Sequence, residues 1–129
     1  MNGRFLLDTN IVIALFARDA SVQQHLATAR TVFVPSIVLG ELYFGARKSA
    51  RAETNRARVR EFASSSAILV CDAITAEQYG EIKKQLEDKG RPIPDNDIWI
   101  AALSRQHKLT VISRDVHFKE VEGLKIEKW

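Results

Sequence analysis

Four acidic residues stand where this chain could do chemistry: Asp8, Glu41, Asp97 and Asp115. Asp8 directly follows the apolar run Phe5-Leu6-Leu7, and Asp115 follows Val111-Ile112-Ser113. Asp97 opens the strongly apolar stretch Ile98-Trp99-Ile100-Ala101-Ala102-Leu103. Glu41 sits among Leu39, Leu42, Tyr43 and Phe44, a core-like setting in which an unpaired charge costs free energy. Taken singly, Asp8 and Asp115 read as turn residues and Asp97 as a charge favoured at a helix N-terminus. Taken together they are harder to dismiss. Carboxylates brought close repel one another, and some take up protons at neutral pH unless a cation sits among them. With one cysteine, Cys71, and three scattered histidines, His25, His107 and His117, no sulfur or paired-imidazole ligand set is on offer. An all-oxygen set favours Mg²⁺ or Mn²⁺ over zinc, and such centres activate water in phosphoryl or phosphodiester chemistry.

The elements that must position these acids follow from the apolar pattern. Short runs at 5–7, 32–34, 67–70 and 109–112 lack polar alternation and suit strands covered on both faces, with a further short strand at 124–127. Helical segments are expected at 11–18, 22–29, 37–47, 52–63, 76–89 and 97–107, with Ser36 as the N-cap of the third. Thr75 with Gln78 reads as a capping box for the fifth, and Gly90 closes that helix. Strands separated by helices imply an α/β fold: a central, mostly parallel sheet of four to five short strands flanked by helices. In such sheets, sites form beyond the carboxyl ends of the strands, and all four acids fall there. Two other acids compete. Asp72 also ends an apolar run but reads as a turn residue ahead of Thr75, and Asp95 is a candidate N-cap with Asp97 in the first turn.

Bulk properties bound the answer. A chain of 129 residues, 46% hydrophobic, suits one domain over 1–129, and its net charge of +3 permits a polyanionic partner without demonstrating one. The longest apolar run, 11–17, is far short of the roughly 20 residues that cross a bilayer, so a cytoplasmic protein with no membrane partner is expected. Cys71, within an apolar run, reads as a buried, inert thiol.

Four segments carry a resemblance to a known family. Phe5-Leu6-Leu7-Asp8-Thr9-Asn10, Pro35-Ser36-Ile37-Val38-Leu39-Gly40-Glu41-Leu42, Pro94-Asp95-Asn96-Asp97-Ile98-Trp99-Ile100-Ala101-Ala102 and Val111-Ile112-Ser113-Arg114-Asp115-Val116-His117-Phe118 resemble, in order, the motifs of PIN domains. The closing Val121-Glu122-Gly123-Leu124-Lys125-Ile126-Glu127 is similar to the ending of VapC-type toxins. Each motif alone is weak; four in order over the whole chain are specific. The resemblance implies a Mg²⁺- or Mn²⁺-dependent endoribonuclease, the toxin of a toxin–antitoxin pair. Asp8, Glu41, Asp97 and Asp115 would form its catalytic and metal-binding quartet, with Asn10, Ser36 and Ser113 as supporting polar residues. It further implies an RNA substrate, products with 3′-hydroxyl and 5′-phosphate ends, a cognate antitoxin whose tail inhibits the acidic site, and a homodimer. The pair Ser113-Arg114 ahead of Asp115 departs slightly from the pattern and removes no acid.

Other features admit two readings. The basic stretch from Arg47 through Lys48, Arg51, Arg56 and Arg58 to Arg60 suits an RNA backbone or, equally, a solvated face or an acidic partner. His117, near Asp115, reads as a surface residue or, less readily, a substrate contact, Trp99 and Trp129 as packing, and Tyr43 and Phe44 as core or dimer surface. A haloacid-type phosphatase is disfavoured because Asp8-Thr9-Asn10 lacks a second aspartate two positions on, and no Gly-rich phosphate loop is present. A receiver module would need an acid pair after the first strand and a late lysine; a PIN-type RNA-processing nuclease or scaffold without a toxin role is the nearer alternative.

Overall fold

The computed structural model describes residues 3–129. Five strands form one sheet: β1 (Arg4–Leu7), β2 (Thr31–Pro35), β3 (Ala67–Leu69), β4 (Thr110–Ile112) and β5 (Ile126–Glu127). Their order is β3-β2-β1-β4-β5, and every neighbouring pair is parallel. Six helices flank the sheet: α1 (Thr9–Phe16), α2 (Ala20–Thr28), α3 (Ser36–Arg47), α4 (Ala52–Ser64), α5 (Ala73–Asp88) and α6 (Asp95–His107). A 3-10 turn spans His117–Glu120. None of the described helices is long and apolar enough to cross a membrane.

The central strand is apolar on both faces because both are covered: Phe5, Leu6 and Leu7 are all buried, as are Val111 and Ile112 beside them. Helix α6 is buried over most of its circumference, through Ile98, Ile100, Ala101, Ala102, Leu103 and Ser104. Its small residues let the backbone lie close to its neighbours, and the hydroxyl of Ser104 donates to the Leu109 carbonyl. Each fully buried aliphatic or aromatic side chain contributes roughly 1.5–3 kcal/mol relative to exposure, so this central layer dominates stability.

Every helix except α4 starts one to three residues earlier than expected, α1 at Thr9 and α2 at Ala20 among them. Pro35 is the N-cap of α3, and Ser36 is its first helical residue with no side-chain cap bond at that end; proline's fixed φ places the turn, so no hydroxyl is needed there. Asp72, not Thr75, caps α5, accepting from the Thr75 backbone N–H while Thr75 Oγ1 accepts from the Asp72 N–H. Helix α6 begins at Asp95, two residues before Asp97, with Pro94 as its N-cap. Gly90 follows α5 at φ +67, the left-handed conformation that ends a helix, as its position predicted. Trp129 is buried, edge-on to Phe5 and stacked on His25, each at 5.1 Å between ring centroids, so its packing role holds.

Strand β1 lies at the middle of the sheet. The chain passes from it to β2 on one side and places β4 on the other, which opens a crevice at the carboxyl ends of β1 and β4. The register Leu7↔Ile112 then brings the next residues, Asp8 and Ser113, level with each other, and the Asp8 N–H donates to the Ile112 carbonyl at 3.0 Å.

Candidate active site

The crevice is built around Asp8, which is 4% exposed. It ends β1 and caps α1, its Oδ1 accepting from the Thr9 backbone N–H at 2.8 Å. Its Oδ2 accepts from Ser113 Oγ at 2.7 Å and from Asn10 Nδ2 at 3.3 Å. Asn10 Oδ1 accepts from the Arg114 backbone N–H, so the asparagine ties the start of α1 to the loop after β4. Thr9 Oγ1 donates to Glu41 Oε1 at 2.9 Å, which fixes the glutamate against α1 from the second turn of α3.

The second half of the site faces the first. Asp97, 9% exposed, lies in the first turn of α6. Asp115 lies in the loop after β4, where its backbone N–H donates to Ser113 Oγ at 2.9 Å. The imidazole Nδ1 of His117 lies 2.9 Å from Asp97 Oδ2 and 3.0 Å from Asp115 Oδ1, and the His117 backbone N–H donates to the same Asp115 oxygen. Phe118, fully buried, anchors the 3-10 turn that carries this histidine.

Burial and crowding set the electrostatics. Desolvation pushes the Asp8 carboxyl up to about 6, against the stabilising hydrogen bonds from Ser113 and Thr9, and the charges of Asp97 and Glu41 add to the rise. Asp97 is likewise raised, first by burial and then by Asp115 and Glu41, with His117 opposing. His117 is raised above the usual imidazole value, chiefly by its bond to Asp97. This is the electrostatics of a site short of positive charge, and a divalent cation suits it. Asp97, Asp115 and His117 present ligand-capable atoms within 4.8 Å of one another, and Asp8 and Glu41 are close enough to perturb Asp97 or be perturbed by it.

The four acids singled out in the sequence therefore meet at one end of the sheet. Asn10 and Ser113 both bond directly to Asp8. Ser36, the first residue of α3, makes no side-chain hydrogen bond to any of the acids among the described residues. The competitors fall away: Asp72 caps α5, and Asp95 pairs with Lys83 and Tyr79 outside the crevice. Of the residues flanking Glu41, Leu42 is buried while Phe44 is 65% exposed, so the segment is core on one side only. Thr9 was missed as a site residue, and His117, read as a surface residue or a substrate contact, instead meets Asp97 and Asp115. The signal for His117 was its place two residues after Asp115, the spacing of a side chain folding back over a turn.

A groove adjoins the acids. Ile13 and Phe16 of α1, Leu42 and Ala46 of α3, and Val59 of α4 line a cavity of about 370 Å³ together with Glu41 and Arg58. The Arg58 guanidinium lies over the Phe16 ring, 5.4 Å from its centroid. Cys71 is half-buried, and burial raises its thiol further from reactivity.

The PIN-domain family profile matches residues 5–124. The chain belongs to the PIN-domain family. Among PIN-domain relatives, it is 36% identical over 129 residues to ribonuclease VapC2 of Haemophilus influenzae, covering 98% of each chain. It is 34% identical to the tRNA(fMet)-specific endonuclease VapC of Shigella flexneri, again over 98% of each. Its fold superimposes on a chain of the DNA-bound VapBC complex of Salmonella typhimurium with a TM-score of 0.89 at 31% identity, covering 98% of both chains. The PIN-domain assignment accounts for the all-parallel sheet and for the place of the acids at its carboxyl edge.

Proposed function

We propose that this PIN domain is a divalent-cation-dependent endoribonuclease and the toxin of a toxin–antitoxin pair. The observation that carries the reading is the convergence of Asp8, Glu41, Asp97 and Asp115 on one crevice, with a buried carboxyl held near pH 6. Full-length similarity to VapC ribonucleases supports the substrate class.

Asp8, Asp97 and Asp115 would hold the ion, with Glu41 nearby and Ser113, Asn10 and Thr9 orienting the carboxylates. A bound Mg²⁺ or Mn²⁺ supplies a water of lowered pKa and neutralises charge developing at phosphorus. Ser113 fixes Asp8 and the Asp115 loop together, so two of the acids keep their spacing as substrate binds. Glu41, with Oε1 occupied by Thr9, keeps its other oxygen as an acceptor for a proton of the attacking water. In-line attack breaks the bond from phosphorus to O3′ and leaves 3′-hydroxyl and 5′-phosphate ends.

The groove between α1, α3 and α4 suits the tail of an antitoxin: a mostly apolar lining, with Arg58 for an acidic residue and Glu41 for a basic one. The exposed Phe44 ring, with Lys48 Nζ 4.8 Å from its centroid, supports a second copy of the chain as a further partner. Cytoplasmic action follows from an RNA substrate. The test is cleavage of structured RNA, beginning with initiator tRNA, by purified protein in Mg²⁺ or Mn²⁺ and in EDTA. Cutting that stops in EDTA and resumes on adding the ion is expected; equal cutting in EDTA would overturn the metal reading.

A further inference from the structure

His117 stands between two of the acids, and nothing in the proposed hydrolysis uses it. We propose that its imidazole is a positioning residue that holds the cation's place. Its Nδ1–H draws Asp97 and Asp115 together in the metal-free protein, and the ring swings out when an ion takes those oxygens. The inference rests on the metal reading above.

Three features of the geometry carry it. First, Nδ1 lies 2.9 Å from Asp97 Oδ2 and 3.0 Å from Asp115 Oδ1, so the nitrogen occupies two of the oxygens that would hold an ion. Ionised carboxylates only accept hydrogen bonds, so Nδ1 carries its hydrogen toward them and offers no lone pair in that direction. Second, a hard cation prefers oxygen donors, and the crevice supplies them, which leaves the imidazole as the ion's competitor for Asp97 and Asp115. Third, the ring is free to leave. Its side chain is 41% exposed, and its backbone stays fixed by the bond from its own N–H to Asp115 and by the buried Phe118 next to it. Rotation about the side-chain bonds alone would clear the site without moving the loop that carries Asp115. Without such a placeholder, the metal-free carboxylates of Asp97 and Asp115 would face each other with only repulsion between them.

The experiment follows the wild-type protein through a Mg²⁺ titration at fixed pH, with calorimetry measuring binding and ¹⁵N-resolved NMR observing the three imidazole rings. The hydrogen-bonded Nδ1–H of His117 should be lost in step with ion binding, while His25 and His107 remain unchanged. A His117 Nδ1–H that persists at saturation overturns the inference and leaves the metal reading intact. Failure of wild-type protein to bind Mg²⁺ or Mn²⁺ at all removes the metal reading, and the inference with it. The variant His117→Ala supplies the converse: it should bind Mn²⁺ roughly three- to tenfold more tightly, since the competitor for Asp97 and Asp115 is gone. Weaker binding in the variant would make His117 a ligand and overturn the placeholder role. Should His117→Ala fail to fold, the wild-type NMR titration decides alone.

Discussion

Ser113 Oγ lies 2.7 Å from Asp8 Oδ2, joining the carboxyl ends of the two strands at the middle of the sheet. The same hydroxyl accepts from the Asp115 backbone N–H. One side chain therefore sets the distance between two acids that belong to opposite ends of the sequence. Replacing Ser113 by Ala should lower cleavage or Mn²⁺ affinity by roughly 10–100-fold, the usual cost of losing a group that orients a metal ligand. Steady-state kinetics and calorimetry on the same preparation would measure both, and unchanged values would reduce Ser113 to packing.

Asp8→Asn should abolish cleavage and stabilise the metal-free fold above neutrality. The folded-state carboxyl sits at about 6 against an ordinary 3.8. The fold thus holds this proton more tightly than the unfolded chain does. Its contribution is fully present below pH 3.8 and is lost as pH rises through 6. At about 1.36 kcal/mol per unit, the loss is up to about 3 kcal/mol by pH 8, and the neutral asparagine escapes it. Denaturation in EDTA at pH 4 and pH 8 should show a smaller decline for the variant; a steeper one would contradict the burial argument.

Asp72→Ala separates the strand-end acid that caps a helix from those that face the crevice. It should lower the thermal midpoint, because α5 loses its N-cap, and leave cleavage untouched. A comparable loss of cleavage would mean that the wrong strand end had been assigned.

Phe118→Ala should cost about 3–5 kcal/mol, as expected for truncating a fully buried ring. It should also loosen the turn that carries His117 and supports Asp115, so metal affinity should fall at temperatures where the fold is still intact. Chemical denaturation together with calorimetry distinguishes the two effects.

The acids were legible in the sequence because a parallel sheet converts position along the chain into position in space: an acid one residue past an apolar strand lands at the carboxyl edge. Asp8 follows that rule directly, Asp115 through the short loop that follows Ile112, and Asp97 through a helix that starts there. Helix caps were less legible. Asp72-Ala73-Ile74-Thr75 and Thr75 with Gln78 share the same three-residue spacing, and the earlier start is the one at which Gln106 of α6 bonds to both Asp72 and Thr75. His117 was hidden for a different reason. A lone histidine in an exposed loop acquires meaning only when Asp97, twenty residues earlier, is brought to meet it.

The pairing of β1 with β4 also constrains when the protein can act. Asp8 is made 105 residues before its partner Ser113. Until those late residues leave the ribosome, the central strand lacks one neighbour and the crevice lacks Asp115. Closure over so long a separation comes late in folding. The crevice around Asp8 therefore stays incomplete until Ser113 and Asp115 have been made and folded against it.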